Sequence, residues 1–311
     1  MSSVFPGDCL DVLRSIETSS VNLIMTSPPY ADRRKHSYGG IPAKHYVGWF
    51  LPIADELWRV LKPDGSFVLN LCPHTEDGQE AKYVDDLKYH LRQKGWILLD
   101  TYCWAKPNPM PSRCVNKLKN GWEPLFHFSK SLRPAFYPEQ VLQPAKQSSI
   151  ERANRLRGKD FVRRTCNTGS GFRTNMSRLT RRYQQNGSGF NLADLPGSSH
   201  NGDGMVFPGN VIEAAPEARN LHRLYGDPFD IFHEDRKASA PFPEKIPAFF
   251  IDLLTRRGDT VLDPFAGSGS TGKVAQDKER NFILIEKEPS NIRLILNRLN
   301  ERRNAYLTRA G

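Results

Sequence analysis

Two short segments of this 311-residue chain hold residue types that can do chemistry. The first, Thr26-Ser27-Pro28-Pro29-Tyr30, directly follows the apolar run Val21-Asn22-Leu23-Ile24-Met25. Proline fixes φ and biases the residue before it toward extended backbone, so Ser27 and Pro28 can be held stiffly with a hydroxyl and a carbonyl aimed at one point. Tyr30 adds a flat face. Ser-Pro-Pro alone is ordinary turn chemistry. Its position matters more, because the carboxyl end of a parallel strand lies at the mouth of an α/β sheet, where ligands bind.

The second segment is Val261-Leu262-Asp263-Pro264-Phe265-Ala266-Gly267-Ser268-Gly269-Ser270-Thr271-Gly272, which runs from a strand through a loop into a helix. Gly267, Gly269 and Gly272 satisfy the dinucleotide spacing G-x-G-x-x-G, and Glu286 ends the next strand, where a carboxylate can accept bonds from ribose hydroxyls. Gly267 to Lys273 also approaches a phosphate-binding loop, but Val274 follows, with no hydroxyl for magnesium. A nicotinamide cofactor and a bare glycine turn remain as alternatives. After Gly272 only one helix, one strand and one helix follow before Gly311, too few to complete a doubly wound sheet. The missing strands must come from the amino-terminal half, joining both segments in one sheet.

The elements that would position these segments fall into three zones. From Val4 to about Lys130, the runs Val21 to Met25, Ser66 to Leu71 and Trp96 to Leu99 read as buried strands. Between them Phe50, Ile53, Ala54, Leu57, Val60 and Leu61 make a helical stripe that stops at Lys62-Pro63-Asp64-Gly65. Alternating strand and helix implies a parallel sheet covered by helices. From Ser131 to Arg236 the pattern dissolves into Ser, Asn, Gly and Arg. There Arg152, Arg155, Arg157, Lys159, Arg163, Arg164, Arg173, Arg178, Arg181 and Arg182 are opposed over their stretch only by Glu151 and Asp160. A solvated, partly disordered insert has this composition. Arginine's fit to phosphate and to guanine edges, with so few acidic partners, favours a module that faces nucleic acid. From Pro241 the alternation resumes, with a helix over Ile246 to Arg257, strands at Thr260 to Asp263 and Asn281 to Glu286, and a last helix presenting Ile292, Ile295, Leu296 and Leu299.

Composition narrows the class. With 38% hydrophobic and 25% charged residues, the chain has the balance of an ordinary globular protein. The 44 Lys and Arg against 34 Asp and Glu give a formal charge of +10, a field suited to a polyanion. Met1 to Leu13 lacks a signal pattern, and no stretch approaches the roughly 18 apolar residues of a membrane span. A cytoplasmic location is expected, on the nucleoid if the source is a bacterium. Cys9, Cys72, Cys103, Cys114 and Cys166 have neither disulfide-framework nor zinc spacing, and no H-E-x-x-H is present, so no metal is expected.

Taken together, the chain resembles the amino-methyltransferases of DNA, whose catalytic motif is (Asp, Asn or Ser)-Pro-Pro-(Tyr, Phe or Trp) and whose cofactor motif is similar to Asp263-Pro264-Phe265-Ala266-Gly267-Ser268-Gly269. The order is that of the family's beta class, with the catalytic motif first, the recognition region in the middle and the cofactor motif last. Gly7-Asp8-Cys9-Leu10, Trp104-Ala105-Lys106-Pro107-Asn108-Pro109 and Phe242-Pro243-Glu244-Lys245-Ile246-Pro247 add weaker similarities. The resemblance implies an α/β, circularly permuted Rossmann-like methyltransferase sheet with an inserted, basic target-recognition region. Residues 1–130 would form the catalytic half, 131–236 the recognition region and 237–311 the cofactor-binding half.

The resemblance also implies roles. S-adenosylmethionine is the expected cofactor: Asp263, Pro264, Phe265, Gly267, Ser268 and Gly269 would surround its methionine end, Glu286 its ribose and Asp8 its adenine, with Lys245 and Thr271 near its carboxylate. Ser27, Pro28, Pro29 and Tyr30 would meet the target amine of a base flipped from double-stranded DNA. Ser before Pro-Pro points to N4 of cytosine, with N6 of adenine as the alternative. Arg33, Arg34 and Lys35, in the segment ending Tyr38-Gly39-Gly40, read either as a basic loop closing over DNA or as a solvated turn. Arg163, Arg164, Arg181 and Arg182 are the candidate DNA contacts of the middle region. A homodimer and a cognate restriction endonuclease are partners the resemblance allows, and a regulatory methyltransferase would have the same sequence features. Three other classes compete. A carbon-5 methyltransferase would use a cysteine, but Leu71-Cys72-Pro73-His74 has Pro and Cys in the wrong order and reads as a core cysteine. The others are a nicotinamide oxidoreductase and a non-catalytic DNA-binding protein.

Overall fold

The computed structural model describes residues 2–32, 40–76, 79–109, 118–144, 205–216 and 242–307. The chain forms two units, Met1–Tyr137 with Asn210–Gly311, and Pro138–Gly209. The first unit begins with β1 (Ser3–Pro6), α1 (Cys9–Leu13), β2 (Val21–Thr26), α2 (Ala43–Val60), β3 (Leu61–Asn70), β4 (Thr75–Glu76), β5 (Gln79–Glu80), α3 (Tyr83–Gln93), β6 (Ile97–Ala105) and β7 (Trp122–Ser129). In the second, a 3₁₀ turn (Pro138–Val141) precedes the two-stranded ladder of β8 (Gln143–Pro144) and β9 (Met205–Val206). The chain then returns to the first unit as β10 (Val211–Glu213), α4 (Lys245–Leu254), β11 (Thr260–Asp263), α5 (Ser270–Asp277), β12 (Asn281–Glu286) and α6 (Pro289–Leu307). No helix among the described residues is long and apolar enough to cross a membrane.

Eight strands form one sheet in the order β1-β12-β11-β2-β3-β7-β6-β10. The expected parallel sheet is found with one exception: β7 runs antiparallel to both β3 and β6. The late strand β11 lies between β12 and the early strand β2, with Val261 beside Leu23 and Leu262 beside Ile24. From β2 the chain crosses through α2 to β3, and from β11 through α5 to β12 on the other side. The β2–β11 junction is therefore a topological switch point, where diverging crossovers leave a crevice at the strand carboxyl ends.

Strand alternation sorts the core into two faces. Ile24, Phe67 and Leu69 face a cluster built with Leu13 of α1, Phe50, Ile53 and Leu57 of α2, and Leu87 and Leu91 of α3. The stripe predicted for α2 is buried as expected, while Pro52 sits on its exposed side, where the carbonyl it leaves unbonded meets water. The Lys62-Pro63-Asp64-Gly65 stop does end the helix, but the chain passes straight into β3 and these residues form a bulge between the pairs Val21–Leu61 and Leu23–Ser66. Gly65 is required there, since a Cβ would lie 2.6 Å from Leu61 Cδ1 and 3.0 Å from the Asn22 carbonyl.

Phe67 anchors the strand whose end reaches the crevice. Its ring is fully buried and packs 5.1 Å from Trp96 and 5.9 Å from Phe128. Phe67→Ala removes the shared ring of that trio and should cost about 3–5 kcal/mol in urea denaturation; a loss below about 1 kcal/mol would mean that β3 is held by something other than this cluster.

Candidate active site

Asp263 ends β11 beneath the crevice and is only 5% exposed. Its Oδ1 accepts the Thr26 hydroxyl at 2.7 Å and the Phe265 amide at 3.1 Å, and its Oδ2 accepts the Thr271 hydroxyl at 2.7 Å. One carboxylate thus ties the end of β2, the turn after β11 and the first turn of α5 together. Burial pushes its pKa up from 3.8 to about 6, and the three donors hold it from rising further.

The glycine loop folds around a second carboxylate. Glu286, 3% exposed at the end of β12, accepts the Gly267 amide at 2.7 Å and the Glu288 amide at 2.9 Å. Its carboxylate lines the cleft, where an acceptor of this kind can meet a ligand's hydroxyls. Gly267 takes φ of 55°. Gly269 caps α5 at φ of 81°, and a Cβ there would approach Ile295 Cγ1 to 3.0 Å. Arg298, buried within α6, donates to the Ser268 carbonyl and to the Ser268 and Ser270 hydroxyls at 2.8–3.2 Å and pairs with Glu244 at 3.1 Å. The loop amides are already engaged: Phe265 to Asp263, Ala266 to the Ile285 carbonyl, Gly267 to Glu286, and Gly269 to the Ala266 carbonyl. These four amides, which a dinucleotide pyrophosphate would need, are given to carboxylates and backbone carbonyls instead. The nicotinamide reading of the glycine spacing loses its physical basis here.

Across the junction the Ser-Pro-Pro-Tyr segment is locked in place. The Pro29 carbonyl accepts the Tyr46 hydroxyl of α2 at 2.9 Å. Tyr30 places its hydroxyl 2.9 Å from Asn70 Oδ1, 2.8 Å from Glu123 Oε2 and 3.5 Å from Ser27 Oγ. Burial, and then the Glu123 charge, hold the Tyr30 phenol well above its ordinary pKa, so it stays protonated and donates. Asn70 is oriented by the hydrogen bond its Nδ2 donates to the Pro124 carbonyl at 3.0 Å, and Glu123 is paired with Lys106.

Both segments open into one cleft of about 1040 Å³. Ser27, Pro28, Pro29, Tyr30, Asp8, Asp263, Pro264, Phe265, Gly267, Ser268, Thr271 and Glu286 all line it. Two expected cofactor residues do not: Gly269 packs under α6, and Lys245 is exposed at the start of α4. Asp8 caps α1 through the Leu10 amide at 3.0 Å, with Lys287 3.6 Å away. Arg33, Arg34, Lys35, Arg163, Arg164, Arg181 and Arg182 lie outside the described residues. The cleft also takes in Trp49, Asn70, His74, Lys106 and Glu123, which sequence reasoning did not assign; the only signal was the Trp104-to-Pro109 similarity. Cys72 corrects an expectation: it lines the cleft rather than the core. Burial raises its thiol pKa and Asn120 Nδ2 lies 3.6 Å from its sulfur, so it is a poor nucleophile.

The Asp263 environment has a pH signature. In the unfolded chain its carboxyl ionises near 3.8, whereas in the fold it keeps its proton to about 6. Between those values the folded state binds the extra proton, so stability falls as pH rises through the window. Relative to Asp263→Asn, the wild type should lose about 2–2.5 kcal/mol between pH 4 and pH 7 in denaturant titrations. Parallel profiles for the two proteins would show that Asp263 is solvated normally.

Comparison with known proteins places this geometry. The family model for DNA methylase matches residues 21–297. The Type II methyltransferase M.PvuII of Proteus hauseri is 30% identical over 299 residues, spanning 93% of this chain and 81% of the relative. The solved PvuII DNA methyltransferase (cytosine-N4-specific) aligns with a TM-score of 0.65 at 25% identity, covering 96% of this chain and 86% of that one. The crystal structure of the M1.HpyAVI–SAM complex shares the fold, with a TM-score of 0.55 at 17% identity over 96% of this chain and all of that one. The sheet is the Rossmann-like methyltransferase sheet, and the chain, across both the Ser27 segment and the Asp263 loop, belongs to the DNA methylase family.

Proposed function

We propose that this protein transfers the methyl group of S-adenosylmethionine to N4 of a cytosine swung out of duplex DNA. The observation that carries this reading is the meeting of the Ser27 and Asp263 segments in one cleft, joined across the switch point by the Thr26–Asp263 hydrogen bond. Ser before Pro-Pro, and the likeness to a cytosine-N4-specific enzyme across most of the chain, support cytosine over adenine.

The residues fit the cofactor. Two buried carboxylates on the β11–β12 side suit a ligand that carries ribose hydroxyls and positive charge, and Phe265 and Trp49, 5.8 Å apart, give that side apolar walls. Glu286 would hold the ribose, Asp8 the adenine end, and the loop from Asp263 to Ser268, with Thr271, the methionine end. S-adenosylmethionine supplies an electrophilic methyl group on a sulfonium.

The remaining work falls to the chain's own groups. An exocyclic amine is a weak nucleophile because its lone pair is delocalised into the ring. The Ser27 hydroxyl and the Pro28 carbonyl, acting as fixed acceptors for its N–H groups, favour a pyramidal nitrogen and aim the lone pair. Tyr30, held by its hydroxyl, offers its ring as a stacking platform. Such stacking is worth about 1–3 kcal/mol per base, comparable with the few kcal/mol that flipping costs. The basic middle region, 131–236, would supply the phosphate and base-edge contacts that choose the site.

The test is product analysis: pure protein, S-adenosylmethionine and unmethylated DNA, digested to nucleosides and resolved by mass spectrometry. N4-methylcytosine is expected. Ser27→Ala should cut its formation by about 100–1,000-fold, the range for removing one positioned hydrogen-bonding group, while S-adenosylmethionine binding survives. N6-methyladenine as the product would reverse the base assignment. Undiminished methylation by Ser27→Ala would remove the serine from the mechanism, and DNA binding with no methylation would leave a non-catalytic binder.

A further inference from the structure

The glycine loop is held by a cation that does not itself line the cleft. Arg298 of α6 is buried, and its Nη1 donates to the Ser268 hydroxyl at 3.0 Å and to the Ser270 hydroxyl at 2.8 Å, while Nη2 faces Glu244 at 3.1 Å. Both serines line the cleft. A guanidinium has five N–H donors and no acceptor, which fixes the roles in these bonds. Each serine gives a lone pair to Arg298 and keeps its own proton for another group. Neither hydroxyl donates to a further group among the described residues, although Ser268 and Ser270 are only 6% and 3% exposed. Two O–H donors with a positive charge behind them are thus unused in the cleft wall. Ser270 also opens α5 (Ser270–Asp277), whose amino-terminal end adds positive potential at the same place. Such a donor set suits an anion.

The charges of the cleft point the same way. Among the described residues that line it, the carboxylates of Asp8, Glu123, Asp263 and Glu286 face the ammonium groups of Lys106 and Lys287. Lys106 pairs with Glu123, and Lys287 lies 3.6 Å from Asp8, so each lysine already has its own carboxylate. A ligand's anionic group is repelled over most of this surface and is received where Arg298 backs the two serines. S-adenosylmethionine carries one anionic group, the carboxylate of its methionine end, and Lys245, the cation first expected there, lies off the cleft. Resting on the proposed cofactor, we infer that Arg298 is a positioning residue for that carboxylate, acting through Ser268 and Ser270 by directing both hydroxyl protons into the cleft. The serines touch the ligand; the arginine sets which way they donate.

The test compares S-adenosylmethionine with its decarboxylated analogue, which keeps the sulfonium, the amine and the adenosine. Dissociation constants are measured by calorimetry on the purified full chain. The proteins are the wild type, Arg298→Met, and the double variant Ser268→Ala with Ser270→Ala. Wild type should bind the analogue roughly 10- to 100-fold more weakly, the loss of hydrogen bonds to a charged group. The double serine variant should lose a similar factor for S-adenosylmethionine, hold the analogue near the wild-type value, and so treat the two alike. Arg298→Met should narrow the preference in the same direction. Where Arg298→Met does not fold, the serine pair decides, since without their hydroxyls Arg298 has no path to the ligand. A role confined to the shape of the loop would weaken both compounds by the same factor, and that result overturns the assignment. So does a wild type that binds the two alike, or a serine variant that keeps the full preference. A wild type that binds neither compound fails earlier, at the proposed cofactor, and that failure is visible before any variant is made.

Discussion

The arrangement rests on one hydrogen bond. Thr26 and Asp263 lie 237 residues apart in sequence and 2.7 Å apart in space, at the point where the two wings of the sheet diverge. Diverging crossovers open a crevice only if the strands on either side keep register, and at the carboxyl ends of β2 and β11 the ladder has already stopped after Ile24 and Leu262. Beyond the ladder the side-chain bond carries the alignment. Because the same carboxylate accepts the Phe265 amide and the Thr271 hydroxyl, the glycine loop inherits its position from the strand that bears Ser27. Keeping a carboxylate so deeply buried is unfavourable, and the three donors offset much of that cost.

The two walls of the cleft are built by different physics. On the β11–β12 side, carboxylates gather backbone amides, with Arg298 clamping the loop from beneath. On the β3–β7 side, a network of side chains from Tyr30, Asn70, Glu123 and Lys106 draws on four separate pieces of chain. The first wall is fixed by local backbone geometry and the second by strand pairing. Asn70 is opposite Leu125, and Trp104 is opposite Glu123, so the antiparallel strand β7 brings the charged pair to the mouth.

That difference explains what was legible in the sequence. The Ser-Pro-Pro-Tyr and Asp-Pro-Phe-Ala-Gly segments are contiguous, each following an apolar strand, so both could be read directly and their sheet inferred. The strand β7 was missed because Glu123, Pro124 and His127 interrupt its apolar run, although Leu125, Phe126 and Phe128 are buried. Asn70, Lys106 and Glu123 are single polar residues whose meaning appears only when strands pair. The last helix misled for a related reason. Leu296, counted on its buried face, is 47% exposed, while Arg298, which reads as a solvated charge, is 3% exposed because Ser268, Ser270 and Glu244 surround its guanidinium.

Placing β11 beside β2 has a consequence for how the chain is made. Ribosomes add about 5–20 residues per second, so β2 leaves the exit tunnel roughly 10–50 s before its neighbour. During that interval the apolar edge of β2 has no partner on one side, and such an edge is a template for pairing with other nascent chains. The half of the protein carrying the serine can gather its α1–α3 core early, whereas its open flank closes only when residues 260–263 arrive. Biogenesis, more than final stability, is therefore where this strand order makes its heaviest demand, and a cell producing the protein quickly would be expected to rely on chaperones that shield exposed strand edges.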